Sequence, residues 1–312
     1  MKQVDFLKYR YVLIIISLLV IIGGITYGIL TGYKFDIDFK GGVTISAEIN
    51  EEFNNTDIEN IVMEVTGINP LVQKTSGGNN SVSISIEPIE TEKLDKVVEE
   101  LKAKYINMSE PSTRNIQPSY GKELLDSAIL AVGVAVIIIL LYIALRFKTL
   151  GVTAAITAIL ALLHDVLFIV AIYGIIKFPI NSTFVAVILT IVGYSINDTI
   201  VLYDKIRENK KKVTRSKDMK DTINLSISGT LGRTIITSVT TVVTVIVVYI
   251  FATINSQQVL KEFSLPLIIG ILVGTYSSIF IASSSWYMLD SAVLRIKEKF
   301  NANKKVKSKK RK

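Results

Sequence analysis

The chain has no cysteine and only one histidine among its 312 residues. The lack of cysteine excludes disulfides and thiolate metal sites. Together with the single histidine, it argues against metal or Ser/His triad chemistry. The sequence also lacks the phosphate-binding motif G-x-x-x-x-G-K-[ST]. We therefore expect neither a cofactor nor an enzymatic activity, and any energy for work must come from outside the chain.

Long apolar runs dominate what is present. The chain is 50% hydrophobic with a mean hydropathy of +0.46, which is more apolar than soluble domains usually are. Each run has about the 17–25 residues that a membrane-spanning helix needs. The sequence predicts a polytopic α-helical membrane protein with six transmembrane helices. The first is too long for a signal peptide and is interpreted as a retained anchor. The six predicted spans are 11–30, 124–145, 152–176, 180–203, 233–252 and 265–289.

Basic residues cluster in segments that six crossings would leave on one side of the membrane. The positive-inside rule makes that side cytoplasmic, so both termini are predicted in the cytoplasm of a cell-membrane protein. Topology and attraction to anionic lipid explain the net charge of +8 better than nucleic acid does, and ribosome contact remains the lesser alternative. The predicted cytoplasmic segments are 1–10, 146–151, 204–232 and 290–312, and 253–264 is an outer loop.

Residues 31–123 form the only large insert between predicted spans, and they hold nine Lys/Arg against sixteen Asp/Glu. Alternating β-branched runs predict strands, amphipathic runs predict two helices, and the Gly-Gly-Asn-Asn sequence at 77–80 predicts a hairpin turn. The resulting order, β-α-β-β-α-β, predicts a ferredoxin-like α+β extracytoplasmic domain between helices 1 and 2. That fold hosts many functions, so it does not identify this one.

Asp198 lies within the fourth predicted span, where an ionisable residue costs several kcal/mol and is a functional candidate by default. Thr190, Tyr194 and Asp198 are spaced by four and share one helix face. We expect that face to meet other helices, because lipid offers no hydrogen-bond partner. The alternative is a carboxylate near the cytoplasmic headgroups that simply reaches water.

Arg233 begins the fifth predicted span at a depth similar to that of Asp198. It can pair with Asp198 or extend to the inner interface, and spacing does not decide between these alternatives. Threonines at helical spacing continue a polar stripe along this span: Thr237, Thr240 or Thr241, and Thr244.

His164 and Asp165 lie near the middle of the third predicted span. Adjacent helix positions point about 100° apart, so the two side chains need not contact each other. His164 either braces helices through a hydrogen bond or relays protons, and Asp165 has the same alternatives. Small residues elsewhere, in two G-x-x-x-G motifs and in "GTYSSIFIASSS", indicate close helix packing.

Five motifs, in order, resemble the SecD/SecF family of protein-export membrane proteins. They are "FDIDFKGG" after the first span, "HD" in the third, "VGYSINDTIVLYDKIREN" in the fourth, "GTLGRTIITSVTT" entering the fifth and "GTYSSIFIAS" in the sixth. The resemblance covers essentially the whole chain. It is nearer to the SecF branch, because the first outer region of SecD is much larger. The family belongs to the resistance-nodulation-division superfamily of proton-driven transporters.

The resemblance implies that Asp198 and Arg233 belong to a proton pathway that uses the proton motive force to promote preprotein translocation. Tyr194, Thr237 and Thr241 are further relay or bracing candidates on the same two spans. It also implies that the base of the outer domain is formed by Asp38, Phe39, Gly41 and Gly42. The implied partners are SecD, the Sec translocon channel, a translocating preprotein, membrane lipids and a YajC-type accessory subunit. The coupling ion can be a proton or sodium.

Two other functions remain open at this point. One is a half-size small-molecule transporter of the same superfamily. Such transporters usually carry two six-helix halves, so a single half makes this function less favourable. The other is a structural subunit of the export machinery, in which the ionisable residues only brace helices.

Overall fold

The computed structural model describes residues 5–75, 80–146, 150–210, 219–255 and 257–309. Two separate hydrophobic cores organise these residues, one in a bundle of long helices and one in a small α+β domain. The basic segments at 147–149, 211–218 and 310–312 and most of the predicted hairpin turn lie outside the described residues.

Six helical rods in the described residues are long and apolar enough to cross a membrane, which confirms the predicted membrane class. The sixth rod combines two α-helices with a π-helical segment between them. The rods are α1 (Arg10–Thr31), α5 (Pro118–Arg146), α6 (Val152–Ile176), α7 (Ser182–Lys210), α8 (Met219–Ile254), and finally α9 (Gln258–Tyr276), the π-helical segment (Ser277–Ala282) and α10 (Ser283–Lys309).

Glycines allow the central helices to approach closely, as the G-x-x-x-G motifs predict. A Cβ on Gly24 of α1 would lie 2.7 Å from the Cβ of Ala171 on α6. A Cβ on Gly270 of α9 would lie 2.1 Å from the side chain of Ile191 on α7. These contacts draw α1, α6, α7 and α9 into one bundle, with Trp286 and Tyr203 among its fully buried residues.

The predicted cytoplasmic loop 204–232 is largely helical. Helix α7 continues to Lys210, and α8 starts at Met219 and runs without a break into the fifth span. Ile223 and Ile227, which lie within that predicted loop, are buried in the bundle core. Because these two residues pack in the core, α8 begins at Met219, well before the predicted start of the fifth span at residue 233. The predicted outer loop 253–264 is shortened in the same way, because α9 begins at Gln258.

The domain between α1 and α5, predicted to be the outer domain, contains a four-stranded antiparallel sheet with strand order β2-β3-β1-β4. Its inward face, which includes Ile45 and Ile84, packs on two helices through Ile58 and Leu101. Asn54 caps the first of these helices, and Gly67, at φ +73°, ends it. The elements are α2 (Ile37–Lys40), β1 (Gly42–Glu48), α3 (Asn55–Thr66), β2 (Leu71–Thr75), β3 (Ser81–Ile86), α4 (Thr91–Lys104) and β4 (Ser112–Ile116).

Candidate functional site

Asp198 is buried within the helical bundle. Only 4% of the residue is exposed, so the alternative of a carboxylate reaching water at the headgroups does not describe it. Its Oδ2 atom is inaccessible and has no hydrogen-bond partner among the described residues. Thr190, on the same predicted stripe, is exposed and donates to the carbonyl of Ala186 in its own helix. The stripe therefore faces other helices only toward the C-terminal end of α7.

Arg233 lies on the exposed side of α8, across from the C-terminal part of α7. It lines an open crevice of about 530 Å³ together with Val201, Asp204 and Thr230. No ion pair joins Arg233 to Asp198, although both belong to the described part of the chain. The crevice is lined by Val201, about one helical turn beyond Asp198 on α7.

His164 and Asp165 do contact each other, although their adjacent positions did not require it. His164 Nδ1 lies 3.0 Å from Asp165 Oδ1. Asp165 is fully buried, and its Oδ2 accepts hydrogen bonds from the hydroxyls of Ser195 (2.5 Å) and Ser277 (2.8 Å). The carboxylate therefore joins α6, α7 and the π-helical segment.

The same network reaches α1 through the other ring nitrogen of His164. His164 Nε2 lies 3.0 Å from the hydroxyl of Ser17, which donates to the hydroxyl of Tyr276 at 3.3 Å. Tyr276 in turn donates to the carbonyl of Leu13 at 2.9 Å. Such a continuous buried chain can either brace four helices or carry a proton between them.

Polar residues continue from this network around Asp198 without bonding to it. Thr199 and Ser278 share a 3.0 Å hydrogen bond, and Ser278 also donates to the carbonyl of Ser195 at 3.3 Å. The π-helical segment, which carries Ser277 and Ser278, turns both hydroxyls toward α6 and α7. Wider turns of this kind occur often at functional sites.

The remaining predicted site residues lie on the α7–α8 contact. Tyr194 donates weakly, at 3.5 Å, to the hydroxyls of Ser238 and Thr241. Thr241 is half-buried and donates to the carbonyl of Thr237, as do most threonines of this stripe to their own helix. Tyr194 is thus brought close to Thr241, whereas Arg233 and Thr237 are not joined to either buried carboxylate by a hydrogen bond.

Several members of this site had no clear signal in the sequence. Ser17 and Ser195 are single serines within apolar runs, where a serine commonly bonds to its own helix. Ser277 and Tyr276 lie in the small-residue run that indicated packing only. Their role depends on which helices meet, which local spacing does not determine.

The Asp-Phe-x-Gly-Gly motif joins the outer domain to the start of α7. Asp38 is buried, and its Oδ2 accepts hydrogen bonds from the backbone N–H (3.2 Å) and hydroxyl (2.7 Å) of Ser182. Its Oδ1 accepts a longer one, 3.4 Å, from Arg114 on β4. Both glycines are required, because Gly41 has φ +75° and a Cβ on Gly42 would lie 2.3 Å from the carbonyl oxygen of Ile86.

A second set of contacts reinforces this junction. The backbone of Asp36 donates to Ile180 at 3.1 Å, and that of Ile180 to Lys34 at 2.8 Å, which pairs the two segments as a short parallel bridge. Burial raises the pKa of the Asp36 carboxyl, which also caps α2. Beside it, the amide of Asn181 donates to the buried carboxylate of Glu262 at 2.5 Å. Glu262 had been expected in an outer loop.

No group of three or more His, Asp or Glu side chains in the described residues is close enough to hold a metal ion. Two of the buried carboxylates, those of Asp165 and Asp198, differ in their surroundings. Asp165 is fully hydrogen-bonded, whereas Asp198 has an inaccessible oxygen without a partner. The arrangement suits binding of a monovalent ion or proton at Asp198 more than it suits bond-making chemistry.

Comparison with known proteins gives consistent matches. The sequence model of the family described as "Protein export membrane protein SecD/SecF, C-terminal" matches residues 96–292. The protein translocase subunit SecF of Borreliella burgdorferi is 35% identical over 294 residues, which cover 90% of this chain and 96% of that protein.

Fused relatives match over a part of their length. The protein translocase subunit SecDF of Bacillus subtilis is 34% identical over 286 residues, covering 90% of this chain and 37% of that protein. The crystal structure of SecDF from Thermus thermophilus, a translocon-associated membrane protein, superposes with a TM-score of 0.79 at 29% identity. That superposition covers 93% of this chain and 39% of the SecDF chain, so this chain spans little more than a third of the fused proteins.

Proposed function

Because the chain belongs to the SecD/SecF family of protein-export membrane proteins, we propose that it couples ion movement across the membrane to preprotein translocation. Its role is that of a SecF-type translocase subunit, a transport function rather than an enzymatic one. The ion coupling, the residues that perform it and the partners are inferred from the arrangement of the bundle.

The observation that carries the proposal is the buried carboxyl of Asp198, whose Oδ2 has no hydrogen-bond partner among the described residues. An ionised carboxylate without a partner in such surroundings costs several kcal/mol, which a bound proton or sodium ion would offset. We therefore assign Asp198 as the ion-binding group. This conformation suits the ion-loaded form, because no cationic side chain bonds to the carboxylate.

Arg233 is the proposed counter-charge of the unloaded form. It lies in the crevice between α7 and α8, one turn from Asp198 and open to the cytoplasmic half of the bundle. Loss of the ion would leave a negative charge that attracts Arg233 toward α7. Exchange of the ion would thus alternate the α7–α8 contact between two arrangements.

Movement of α7 is proposed to reach the outer domain through Asp38. This carboxylate holds both the first residue of α7 and Arg114 of β4. The outer domain, which we assign to the ferredoxin-like class from its β-α-β-β-α-β order and its strand order β2-β3-β1-β4, would then tilt as a unit. In this proposal its movement grips and releases an emerging preprotein.

The exposure of two helices supports a second membrane subunit. Only 6% of the most apolar stretch of α5 and 11% of that of α8 are buried, against 44% for α6 and for α7. On α8 the exposed surface includes Arg233, whose guanidinium lipid cannot satisfy. We propose that SecD covers this face and completes a twelve-helix unit.

The wider assembly follows from the same family. We propose that the pair works beside the Sec translocon channel, with a YajC-type subunit as accessory and anionic lipids around the basic segments. Both termini would be cytoplasmic, as the positive-inside rule requires. The boundaries of outer and cytoplasmic segments remain predictions of this topology.

Preprotein export into inverted vesicles that contain this chain and its SecD-type partner would test the coupling. We expect Asp198→Asn to abolish the stimulation of export by an ion gradient while leaving membrane insertion intact, because an amide cannot gain and lose a cation. Imposing a proton gradient in one arm and a sodium gradient in the other identifies the ion. Asp95→Asn, the same change at an exposed outer-domain residue, is the matched control.

Undiminished gradient stimulation in Asp198→Asn would refute ion coupling at this residue and favour the structural-subunit alternative. If stimulation is lost equally in Asp95→Asn, the effect is not specific to the bundle and the assignment fails.

A further inference from the structure

An acidic cleft opens on the outer domain, away from the ion site. It lies between the β1–α3 connection and the end of α4 and has a volume of about 630 Å³. Neither the helical bundle nor the Asp38 junction uses it. Its lining residues are Glu51, Glu52, Phe53, Asn54, Asp57, Lys104 and Tyr105.

The walls of this cleft are held in place by contacts of their own. Tyr105 is only 5% exposed and meets the ring of Phe53 edge-on, with centroids 6.4 Å apart. The side chain of Asn80 donates to the carbonyl of Glu51 at 2.9 Å, and that of Asn50 to the carbonyl of Asn107 at 2.9 Å. The loop therefore presents a preformed shape to a ligand.

Two polar atoms of the cleft have no partner among the described residues: the hydroxyl of Tyr105 and Oε1 of Glu51. Leaving a buried polar atom unsatisfied costs about 1–3 kcal/mol. Burial raises the pKa of Tyr105, and the negative charges of Asp57 and Glu51 raise it further. The hydroxyl thus stays protonated and lies within the field of these carboxylates.

The charge of the cleft selects a cation. Three carboxylates, of Glu51, Glu52 and Asp57, face one ammonium, that of Lys104. Lys104 Nζ lies 3.8 Å from Asp57 and 5.8 Å from the centre of the Tyr105 ring. A tethered basic side chain thus already occupies part of the cleft, and it leaves two negative charges uncompensated.

We propose that this cleft binds an arginine or lysine side chain of a polypeptide outside the membrane. An ammonium or guanidinium can pair with the carboxylates of Glu51 and Glu52 at the mouth of the cleft. The inaccessible Glu51 Oε1 and Tyr105 hydroxyl would gain a partner when a small opening of the cleft admits that side chain. A metal ion fits less well, because the carboxylates are not grouped as ligands within the described residues. The choice of a polypeptide as ligand rests on the proposed function in export.

The test is direct peptide binding to the full chain in lipid nanodiscs, without an ion gradient. The probe is a pentapeptide with one central arginine and a neutral fluorophore, and fluorescence anisotropy measures its dissociation constant. A citrulline peptide has the same shape without the charge. We expect the arginine peptide to bind about tenfold more tightly than the citrulline peptide, as a charge-assisted hydrogen bond would give.

Variants of the cleft act in opposite directions. We expect Glu51→Gln and Glu52→Gln each to weaken binding severalfold, and Lys104→Gln to strengthen it, because the tethered competitor is removed. Glu92→Gln, at an exposed residue of α4 that pairs with Lys96, is the control and should bind like the unaltered chain. Glu52 is exposed, so its substitution tests the site even if Glu51→Gln affects folding.

Equal binding of the arginine and citrulline peptides would overturn the proposal. So would unchanged binding in both Glu51→Gln and Glu52→Gln, or displacement of the peptide by millimolar Ca²⁺, which would indicate a metal site. Asp198→Asn should bind the peptide normally. Failure of ion coupling in the export assay and failure of this cleft are therefore separate results.

Discussion

Asp165 on α6 and Asp198 on α7 are both buried, but they differ in what surrounds their carboxylates. Asp165 has hydrogen bonds to Ser195, Ser277 and His164, so both of its oxygens are satisfied. The Oδ2 atom of Asp198 has no such partner among the described residues. A fully bonded carboxylate holds helices in one arrangement, whereas an unpartnered one favours binding of an ion. We infer that Asp165 braces the bundle and Asp198 exchanges the ion.

This division predicts the behaviour of Asp165→Asn. The amide replaces one acceptor oxygen by a donor next to hydroxyls that donate to it, so we expect a loss of about 1–3 kcal/mol in the free energy of unfolding. Thermal unfolding in nanodiscs measures the loss. Any remaining export should keep its dependence on the ion gradient.

The opposite result separates bracing from relay. An Asp165→Asn protein that unfolds at an unchanged temperature yet has lost the gradient dependence would show that Asp165 carries the ion. Asp95→Asn, on the outer domain, again supplies the matched comparison, since its exposed carboxylate takes part in neither network.

At the scale of helices, the α1–α6 contact is set by glycine. A Cβ on Gly24 would meet the Cβ of Ala171 at 2.7 Å and its carbonyl oxygen at 2.9 Å, whereas a Cβ on the adjacent Gly23 has nothing within 4 Å. We expect Gly24→Ala to destabilise the bundle by about 1–3 kcal/mol, because α1 must move away from α6. Thermal unfolding measures this change.

Gly23→Ala is the matched control, one residue away on the same helix. We expect it to be neutral or to stabilise by up to about 1 kcal/mol, since alanine favours a helix more than glycine does. Separation of α1 from α6 would also pull Ser17 from His164, so Gly24→Ala should weaken the buried network. Equal unfolding temperatures for the two variants would contradict the close contact.

Elements of this size were largely predictable from the sequence. Six spans follow from apolar length, and the G-x-x-x-G pairs correctly indicate close helix contacts. The unbroken course of α8 from Met219 was not predicted, because the packing of Ile223 and Ile227 overrides a polar local sequence. The π-helical segment was also missed, since its serines carry no periodic signal.

The site was predictable only where an ionisable residue lies in an apolar run. Asp198, His164 and Asp165 were therefore named as candidates, and all three are buried. Their partners Ser195 and Ser277 depend on which helices meet, a property of the whole bundle. The hydrogen bonds between Asp38 and Ser182 join residues 144 positions apart, which no local pattern reveals.

For the whole molecule, the Asp38 junction connects the outer domain to the helix that carries Asp198. Ser182 is the first residue of α7, and Asp198 lies on the same continuous helix. A rigid helix transmits a shift along its axis, so ion exchange at one end can displace the domain at the other. The junction is the described contact best placed to transmit that shift.

Removing this connection should uncouple the two halves without affecting the ion site. We expect Asp38→Ala to reduce gradient-stimulated export by about tenfold, because Ser182 loses both of its hydrogen bonds to this side chain, each worth about 0.5–3 kcal/mol. Arg114→Gln removes only the longer contact on the exposed side of the same carboxylate and should leave export nearly unchanged.

Spin labels on the outer domain and on α6 should report a gradient-dependent distance change in the unaltered chain and in Arg114→Gln, but none in Asp38→Ala. If Asp38→Ala keeps that distance change, the outer domain is driven by another contact, and Asp38 is a cap of α7 alone.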